Sequence, residues 1–329
     1  MPARFPLALL PTPLVEAPRL SQALGGPRLL IKRDDLTGFA LGGNKVRGLE
    51  YYLAEALAQG ADVLVTGAGP QSNHVRVTVA AARVAGLEAV AVIHGERPPV
   101  ALGNLLLDEL LGAELRFTGS PDRAQVDVEI ERVGAELAAA GRRPYLIPRG
   151  GASALGALGY LAAVSELGAQ LAELGARPAW LVLATGSCGT QAGLLAGIKL
   201  FGAPYRLLGI TVSRPVAECC ERITRLAIAA AALAESPITV LSEDVVVRDG
   251  YIGAGYGIPS PEAAAAIRLA ARTEGLFLDP TYTGKGLAGL IGEIKSGRLS
   301  PDDTVIYLHT GGEPGLLAHP EVAGLEALA

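Results

Sequence analysis

Short apolar runs alternate along this chain with longer stretches in which apolar residues recur every three or four positions. The short runs predict buried strands, since strands covered on both faces read as nearly continuous aliphatic segments. They lie at 29–33, 63–66, 89–93, 143–147, 180–184, 207–212 and 304–308. Helical spacing predicts one helix that begins near Val46 and others over 72–85 and 193–200. Repeated strand–loop–helix units of this kind predict an α/β fold, with mainly parallel sheets and helices on both faces.

Two strand-to-turn segments of the chain resemble each other. Residues 63–69 and 181–187 each pass from an apolar strand into a glycine-rich turn that opens a helix. In open α/β sheets, ligands bind beyond the carboxyl ends of the strands. The two segments therefore predict two α/β domains that face one cleft.

Composition narrows the possible classes of protein. Of the 329 residues, 50% are hydrophobic and 19% are charged, which is typical of a folded globular chain. The formal net charge of −5 argues against non-specific nucleic-acid binding. The apolar run 226–234 is far shorter than the roughly 20 residues of a membrane-spanning helix, and residues 1–13 do not resemble a signal peptide. We therefore expect a cytoplasmic protein with no membrane partner.

Cysteine and histidine usage gives no indication of a metal centre. The three cysteines are Cys188, Cys219 and Cys220, and the four histidines are scattered along the chain. Neither spacing is typical of a disulfide framework or of a zinc site. We expect no metal ion.

Lys45 is a candidate nucleophile. It follows Gly42, Gly43 and Asn44 and lies directly before the first apolar position of a predicted helix. Asn44 is a candidate N-cap, and Lys45 then falls in the first helical turn, where the helix dipole disfavours a positive charge. A destabilised ammonium is a better nucleophilic amine, as Schiff-base chemistry requires. The structural alternative is a solvated lysine at a helix end.

Residues 185–190 form a candidate phosphate-binding turn. They read Thr-Gly-Ser-Cys-Gly-Thr and lie between a strong strand and a helix, so that several backbone N–H groups can converge on one anion. The Gly-Lys-Ser/Thr of a nucleoside-triphosphate loop is missing, which favours a phosphate monoester. A tight strand-to-helix crossover is the structural alternative.

A second candidate turn covers residues 67–74. Ser72 or Asn73 could cap the following helix, or Asn73 and the turn amides could bind a ligand oxygen. The turn contains Gly-x-Gly, but Ser72 stands where a dinucleotide fingerprint has its third glycine. No acidic residue ends the next strand either. A nicotinamide site is therefore disfavoured.

Three later residues add polar groups. Tyr256 and Tyr282 lie in loops that contain glycine, and Thr310 follows the last predicted strand. Ordinary packing is the alternative for each tyrosine, and a turn hydroxyl is the alternative for Thr310.

Together, a phosphate cradle, a destabilised lysine, a strand-end hydroxyl and the tyrosines indicate one kind of cofactor. It is a phosphate-bearing aldehyde held as an imine, which is pyridoxal 5'-phosphate.

Five motifs then occur in the order found in one known family. They are Lys32-Arg33-Asp34-Asp35, Gly42-Gly43-Asn44-Lys45, Gln71-Ser72-Asn73, Asp279-Pro280-x-Tyr282 and His309-Thr310-Gly311-Gly312. From about Leu10 to Pro314 the chain resembles the D-cysteine desulfhydrase and 1-aminocyclopropane-1-carboxylate deaminase family. This resemblance implies the two-domain tryptophan-synthase-β-like fold, known as fold type II of the pyridoxal-phosphate enzymes.

The resemblance also implies roles for individual residues. Lys45 would form the imine with the cofactor and remove the Cα proton of the substrate. Ser72 and Asn73 would contact the substrate carboxylate and the cofactor ring, and Tyr256 and Tyr282 would lie in the substrate pocket, with Tyr282 a candidate acid. The cofactor phosphate would be held by five consecutive residues, Gly186, Ser187, Cys188, Gly189 and Thr190.

Domain organisation and assembly follow from the same resemblance. A small domain of about residues 49–150 would be inserted into a larger cofactor-binding domain made of 1–48 and 151–329. A homodimer is expected.

Two positions bear on the substrate. In the cyclopropane deaminases of this family, Glu follows the catalytic Tyr and Leu follows the late His, whereas this chain has Thr283 and Thr310. A neutral threonine only hydrogen-bonds the pyridine nitrogen, which gives a weaker electron sink than an acid does. A weak sink suffices when a good leaving group is present at Cβ. The pair therefore favours β-elimination of D-cysteine to pyruvate, hydrogen sulfide and ammonia, and Thr310 is preferred as the residue that reaches the nitrogen.

Other functions stay open at this point. Within the family, the chain could release sulfite from L-cysteate or deaminate 1-aminocyclopropane-1-carboxylate. Outside it, the alternatives are a nicotinamide-dependent dehydrogenase and a non-catalytic α/β protein that binds a small ligand.

Overall fold

Two β-sheets form the framework of the molecule, whose computed structural model describes residues 1–324. The strands are β1 (Leu14–Glu16), β2 (Arg28–Arg33), β3 (Val63–Ala68), β4 (Glu88–Ile93), β5 (Glu114–Phe117), β6 (Pro144–Leu146), β7 (Trp180–Thr185), β8 (Arg206–Thr211), β9 (Val246–Arg248) and β10 (Thr304–His309). The larger sheet has the order β1-β2-β10-β7-β8-β9 and the smaller sheet has the order β5-β4-β3-β6. Only β1 and β2 pair antiparallel among these strands. The predicted α/β fold with mainly parallel sheets is confirmed.

Helices cover both faces of each sheet. They are α1 (Pro18–Leu24), α2 (Lys45–Ala58), α3 (Asn73–Val84), α4 (Gly103–Leu110), α5 (Gln125–Ala139), α6 (Ala154–Glu173), α7 (Gly189–Phe201), α8 (Val216–Leu233), α9 (Pro261–Glu274), α10 (Thr283–Lys295) and α11 (Glu313–Leu316). Helices α6, α7 and α8 pack on one face of the larger sheet, and α1, α9 and α10 pack on the other. The smaller sheet is covered by α2 and α3 on one face and by α5 on the other.

All seven strands predicted from apolar runs are present, with small shifts at their ends. Three further strands were not predicted: β1 and β9 have three residues each, and β5 has four. Each of the three lies at the edge of its sheet. An edge strand has one open side and is often short, so its sequence carries no continuous apolar run.

The two sheets draw on different parts of the chain. The smaller sheet uses only strands between residues 63 and 146, while β2 from the first part of the chain pairs with β10 from the last part in the larger sheet. Boundaries at 48/49 and 150/151 stay a prediction of where the two domains divide.

Helix α6 is packed closely against α2 and α7. A Cβ atom added at Gly159 would lie 2.5 Å from the carbonyl oxygen of Arg47 in α2. A Cβ atom at Gly193 of α7 would lie 2.2 Å from the carbonyl oxygen of Ala157. Glycine is therefore required at both positions, because only its bare Cα lets the backbones approach so closely.

The segment Arg149–Glu173, which includes α6, is long and apolar enough to cross a membrane by length and composition alone. Its leucines Leu158, Leu161 and Leu167 are buried among α7, α8 and the larger sheet. This packing is that of a core helix.

Candidate active site

A cavity of about 830 Å³, including its open mouth, lies at the carboxyl ends of β3, β7 and β10. The two glycine-rich turns that follow β3 and β7 both contribute to its wall. Most of the predicted site residues line it, namely Lys45, Ser72, Asn73, Gly186, Ser187, Cys188, Thr190, Tyr256, Tyr282 and Thr310. Gly189 lines a smaller adjoining cavity, which also borders Lys45. Residues that are distant in sequence thus come together around one cavity.

Lys45 is the first residue of α2, as the sequence predicts. Its Nζ donates a hydrogen bond to the carbonyl oxygen of Gly150 at 2.8 Å and lies 3.3 Å from Ser187 Oγ. Burial lowers the pKa of Lys45 to about 8. Among the described residues that line the cavity there is no carboxylate to pair with this amine. Loss of hydration therefore adds to the expected effect of the helix dipole and brings the amine toward its nucleophilic form.

Asn44 occupies the N-cap position of α2, as predicted, but its side chain does not cap the helix. Its backbone is helical, and its side chain makes no hydrogen bond to the first turn of α2. Instead, Asn44 Nδ2 donates to Thr190 Oγ1 at 2.9 Å. A contact with a distant segment has replaced the local one, and it ties the turn before Lys45 to the first turn of α7.

The turn after β7 has the backbone geometry of an anion cradle. Helix α7 begins at Gly189, and the N–H groups of its first turn have no partner within the helix. Cys188 before it has a φ of 74°, a left-handed conformation that is uncommon for a residue with a side chain. The carbonyl oxygen of Gly186 accepts a hydrogen bond from Arg214 Nε at 3.1 Å. Because the first N–H groups of α7 have no partner within the helix, they are available to bind an anion.

Ser72 and Asn73 lie at the N-terminus of α3. Ser72 is the N-cap, and its Oγ accepts a hydrogen bond from Val75 N at 3.3 Å, which confirms the capping alternative. A hydroxyl that accepts such a bond still has its own hydrogen to donate to a ligand. Asn73 is the first residue of α3, and its Oδ1 accepts a hydrogen bond from Asn104 Nδ2 at 2.9 Å. Structural and ligand-binding roles are therefore compatible at both positions.

Tyr256 and Tyr282 form a pair in the cavity wall. Their hydroxyl groups are hydrogen-bonded to each other, and their rings meet edge to face with centroids 5.9 Å apart. Burial raises the pKa of both hydroxyls, so each keeps its proton at neutral pH. The Arg123 guanidinium lies over the Tyr256 ring, 3.8 Å from its centroid. The pair can therefore donate a proton in the cavity.

The structure separates the two threonines that bear on the substrate. Thr310 follows β10 and lines the cavity. Thr283 is fully buried outside it, where its Oγ1 donates to Asp279 Oδ1 at 2.8 Å and accepts from Asp279 N at 2.8 Å. Thr310 is thus the one of the two that can meet a ligand.

Several cationic residues at the cavity were not found from the sequence. Arg123, Arg149 and Arg214 line it with His74 and His94. Arg149 and Arg214 have carboxylate partners in Asp127 and Glu218, whereas Arg123 has no such partner among residues 1–324. Burial, with a smaller effect of nearby Lys45, lowers the pKa of His74 to about 3, so that its ring is neutral. The cavity is therefore positively charged and suited to anionic ligands.

Comparison with known proteins assigns the chain to a family. Residues 6–311 match the family model described as "Pyridoxal-phosphate dependent enzyme". The chain belongs to this family of enzymes. Its cofactor is accordingly pyridoxal 5'-phosphate, and a nicotinamide-dependent dehydrogenase is excluded.

Two relatives of this pyridoxal-phosphate enzyme are similar over nearly the whole chain. A D-cysteine desulfhydrase from Salmonella paratyphi C (strain RKS4594) is 42% identical over 328 residues, which cover 97% of this chain and 98% of that protein. A crystal structure described as an ACC deaminase homologue is 37% identical, with a TM-score of 0.91, and covers 99% of this chain and 97% of that chain. The D-cysteine desulfhydrase and cyclopropane deaminase family indicated by the motifs is thus confirmed.

A more distant structure extends the comparison to the fold. A fungal L-serine ammonia-lyase from Rhizomucor miehei has a TM-score of 0.69 at 20% identity, covering 97% of this chain and 98% of that chain. At this identity the likeness concerns the fold alone. The chain has the fold type II of the pyridoxal-phosphate enzymes.

The chemistry of the cavity fits this cofactor. An aldehyde requires an amine that can lose its proton, and Lys45 is such an amine, with a pKa lowered to about 8. A phosphate monoester requires converging N–H donors, which the turn before α7 supplies. Residues 186–190 would hold the phosphate, and Thr310 would face the ring.

Proposed function

We propose that this enzyme is a D-cysteine desulfhydrase, which converts D-cysteine and water to pyruvate, hydrogen sulfide and ammonia. The observation that carries this proposal is the 42% identity to a D-cysteine desulfhydrase over 97% of the chain. At that similarity the whole site, and not only the cofactor-binding part, is expected to be shared.

Binding is assigned to two edges of the cavity. The N–H groups of residues 186–190 hold the cofactor phosphate at the start of α7. Ser72, which keeps a hydroxyl hydrogen free, binds the substrate carboxylate at the start of α3, and Asn73 beside it contacts the cofactor ring. The positive charge of Arg123 adds to the attraction of an anionic group. The amino acid is thereby oriented with its Cα toward Lys45.

Proton transfer is assigned to Lys45 and the tyrosine pair. Bound pyridoxal phosphate supplies an electron sink that delocalises the negative charge left at Cα. Lys45 Nζ removes the Cα proton, since its pKa of about 8 gives far more free amine near neutral pH than an ordinary lysine has. Tyr282, protonated and hydrogen-bonded to Tyr256, donates a proton to the sulfur that leaves Cβ. Lys45 as the base and Tyr282 as the acid together supply the two proton transfers that a β-elimination requires.

The neutral group that faces the ring supports the choice of reaction. Thr310 lines the cavity, and Thr283, the other candidate, is occupied by Asp279. A hydroxyl hydrogen-bonds the pyridine nitrogen without protonating it fully, which suits elimination of a good leaving group. Opening a cyclopropane ring requires the stronger electron sink that an acidic residue would give.

The assembly and location of the enzyme are also proposals. We propose a cytoplasmic homodimer, the form implied by the family resemblance. Cys188, Cys219 and Cys220 are all free thiols in the fold, which is compatible with a reducing compartment. Light scattering on the purified enzyme tests the dimer, which a monomeric mass would overturn.

A panel of substrates tests the proposed reaction. Purified enzyme is mixed in turn with D-cysteine, L-cysteine, L-cysteate and 1-aminocyclopropane-1-carboxylate, and sulfide, sulfite, pyruvate and 2-oxobutanoate are measured. We expect sulfide and pyruvate in equal amounts, with D-cysteine giving the highest kcat/KM. Sulfite from L-cysteate or 2-oxobutanoate from the cyclopropane as the dominant product would assign a different member of the family.

A further inference from the structure

A row of three buried side chains leads from the interior to the cavity wall behind Asn73. Arg76 Nε donates to Asn104 Oδ1 at 2.7 Å, and Asn104 Nδ2 donates to Asn73 Oδ1 at 2.9 Å. Arg76 is 1% exposed and Asn104 is 0% exposed, so water does not replace either partner. Asn73, at the end of the row, lines the cavity.

Elementary chemistry fixes the direction of every hydrogen bond in this row. A guanidinium can only donate, so the oxygen of the Asn104 amide must face Arg76. The Asn104 NH₂ group then faces the other way, where it also donates to the backbone carbonyl of Gln71 at 3.2 Å. Since a backbone carbonyl can only accept, two independent partners impose the same orientation on Asn104. The oxygen of Asn73 must therefore face Asn104, and its NH₂ group is left for the cavity.

We propose that Asn104, oriented by Arg76, is a positioning residue that holds the Asn73 amide with its NH₂ group toward the cofactor ring. Asn73 then donates to the hydroxyl oxygen at position 3 of pyridoxal phosphate and never presents an acceptor there. This inference holds whatever the amino-acid substrate is, because it concerns the cofactor alone.

The Asn104 side chain gives the backbone around Asn73 one hydrogen bond, to the Gln71 carbonyl, and three other interactions hold the same turn. Gln71 Oε1 accepts a hydrogen bond from Asn104 N at 2.9 Å, and Gln71 Nε2 donates to the carbonyl oxygen of Leu102 at 2.9 Å. Ser72 caps α3 independently. A change in the Asn104 side chain can therefore reverse the Asn73 amide while the turn keeps its place. Arg76 is less suitable for a test, since its Nη2 also donates to the carbonyl oxygen of Gly42, in the turn before Lys45.

Asn104→Asp tests the proposal with almost no change in side-chain volume. The introduced carboxylate still accepts from Arg76, but its second oxygen faces Asn73, whose amide must rotate to donate to it and so present its oxygen to the cavity. We expect the apo protein to bind pyridoxal phosphate about 10- to 100-fold more weakly, because the acidic ring hydroxyl, bound as its phenolate, would then face a second acceptor instead of a donor. Binding of 3-deoxypyridoxal phosphate, which lacks the ring hydroxyl, changes less than about threefold. The absorption maximum of the bound cofactor shifts in the variant, since the 3-oxygen loses its donor.

Asp108→Asn is the matched control. Asp108 lies on the same helix, is 0% exposed, and neither of its carboxylate oxygens has a hydrogen-bond partner among the described residues. This exchange of acid for amide near Arg76 does not touch Asn73, so the ratio of the two affinities stays at the wild-type value. An equal loss of affinity for both ligands in Asn104→Asp would show a merely structural role and overturn the proposal, as would no loss for either.

A second variant keeps the test decisive if Asn104→Asp does not fold. Asn73→Asp retains an oxygen toward Asn104 and places a second oxygen toward the cavity, so it is expected to show the same selective loss of pyridoxal phosphate. Thermal unfolding of the apo proteins verifies that each variant is folded. Wild-type affinity for pyridoxal phosphate in Asn73→Asp would show that the Asn73 oxygen already faces the ring, contrary to the proposal.

Discussion

Lys45 and Arg47 lie two residues apart in the first turn of α2, yet their surroundings follow opposite rules. Lys45 faces the cavity, and none of the residues from 1–324 that line this cavity carries a carboxylate. Arg47 faces the interior, where Nε is 2.7 Å from Asp34 Oδ2 and Nη1 is 2.9 Å from Glu166 Oε2. Glu166 in turn pairs with Lys32. The structural cation Arg47 is thus neutralised by carboxylates of the protein. The catalytic amine of Lys45 has no such partner in the cavity wall and can be neutralised by a bound ligand.

The electrostatic consequences differ accordingly. Burial alone would raise the pKa of Asp34, but the ion pair with Arg47 outweighs it and leaves that pKa below its ordinary value. At Lys45 burial is not offset by a carboxylate, and the pKa falls to about 8. The partners of a complete buried ion pair keep each other charged, whereas a buried ammonium without a counter-charge is more easily deprotonated.

Removing the unpaired amine is expected to have the largest effect on activity. In Lys45→Ala, sulfide release from D-cysteine should fall roughly 1000-fold or more, because a covalent anchor and a general base are lost together. The visible absorbance of cofactor bound to Lys45 should disappear, while the free energy of unfolding of the apo protein changes by about 1 kcal/mol or less. Absorbance spectroscopy measures the bound cofactor, and denaturant titration measures the free energy of unfolding. Full activity in this variant would contradict the assigned role.

Removing the paired cation should show the reverse pattern. Arg47→Met leaves Asp34 and Glu166 buried without their partner and should lower the free energy of unfolding by about 3–5 kcal/mol. The exposed pair Arg132–Glu129, 2.8 Å apart, gives the control. There, Arg132→Met should cost less than about 1 kcal/mol. Equal losses in the two variants would remove the distinction between the networks.

Acid sensitivity of stability checks the same pair. The pKa values of Asp34 and Glu166 are both lowered in the fold, so their contribution is fully present above the unfolded carboxyl pKa and is lost as pH falls toward the folded values. Unfolding free energies measured at a series of acidic pH values should therefore fall more steeply in the wild type than in Arg47→Met.

The lowered pKa of Lys45 should appear in the pH dependence of cofactor attachment. The pKa of about 8 describes the apo protein, in which only the free amine attacks the aldehyde. The rate of covalent attachment, followed by stopped-flow absorbance, should rise about tenfold per pH unit below 8 and level off above it. A rate that continues to rise toward about pH 10 would indicate an ordinary lysine.

The two threonines provide the smallest and sharpest comparison. Thr310→Val removes the hydroxyl of a residue that lines the cavity and should lower kcat about tenfold with an unchanged melting temperature. Thr283→Val removes two hydrogen bonds to Asp279 and should lower stability by about 1–3 kcal/mol with kcat nearly unchanged. Kinetics and thermal unfolding on both variants separate the roles, and a change in kcat at Thr283 instead of Thr310 would reverse the assignment.

Part of this site was predictable from local sequence because its chemistry is local. Lys45 at a helix start and the small residues before α7 each carry their signal within a few positions. Arg123 does not, since what makes it part of the site is a ring at Tyr256, far along the chain. The contact of the Asn44 side chain was missed for the same reason: its residue type favours a capping bond, but in the fold its amide donates to Thr190 instead. The positioning role of Asn104 likewise could not be predicted from the sequence, because it depends on contacts with Arg76 and Asn73 in the fold.

The glycines of α6 and α7 have a consequence for the spacing of the reacting groups. Gly159 sets how near α2 comes to α6, and Gly193 sets how near α7 comes to it. The amine at the start of α2 and the anion-binding turn at the start of α7 therefore both have their positions fixed by packing against α6. A methyl group at either position would push the helices apart and change the distance between Lys45 and the anion-binding turn. The close packing of three helices thereby fixes the length of the ligand that the two groups can bind at once.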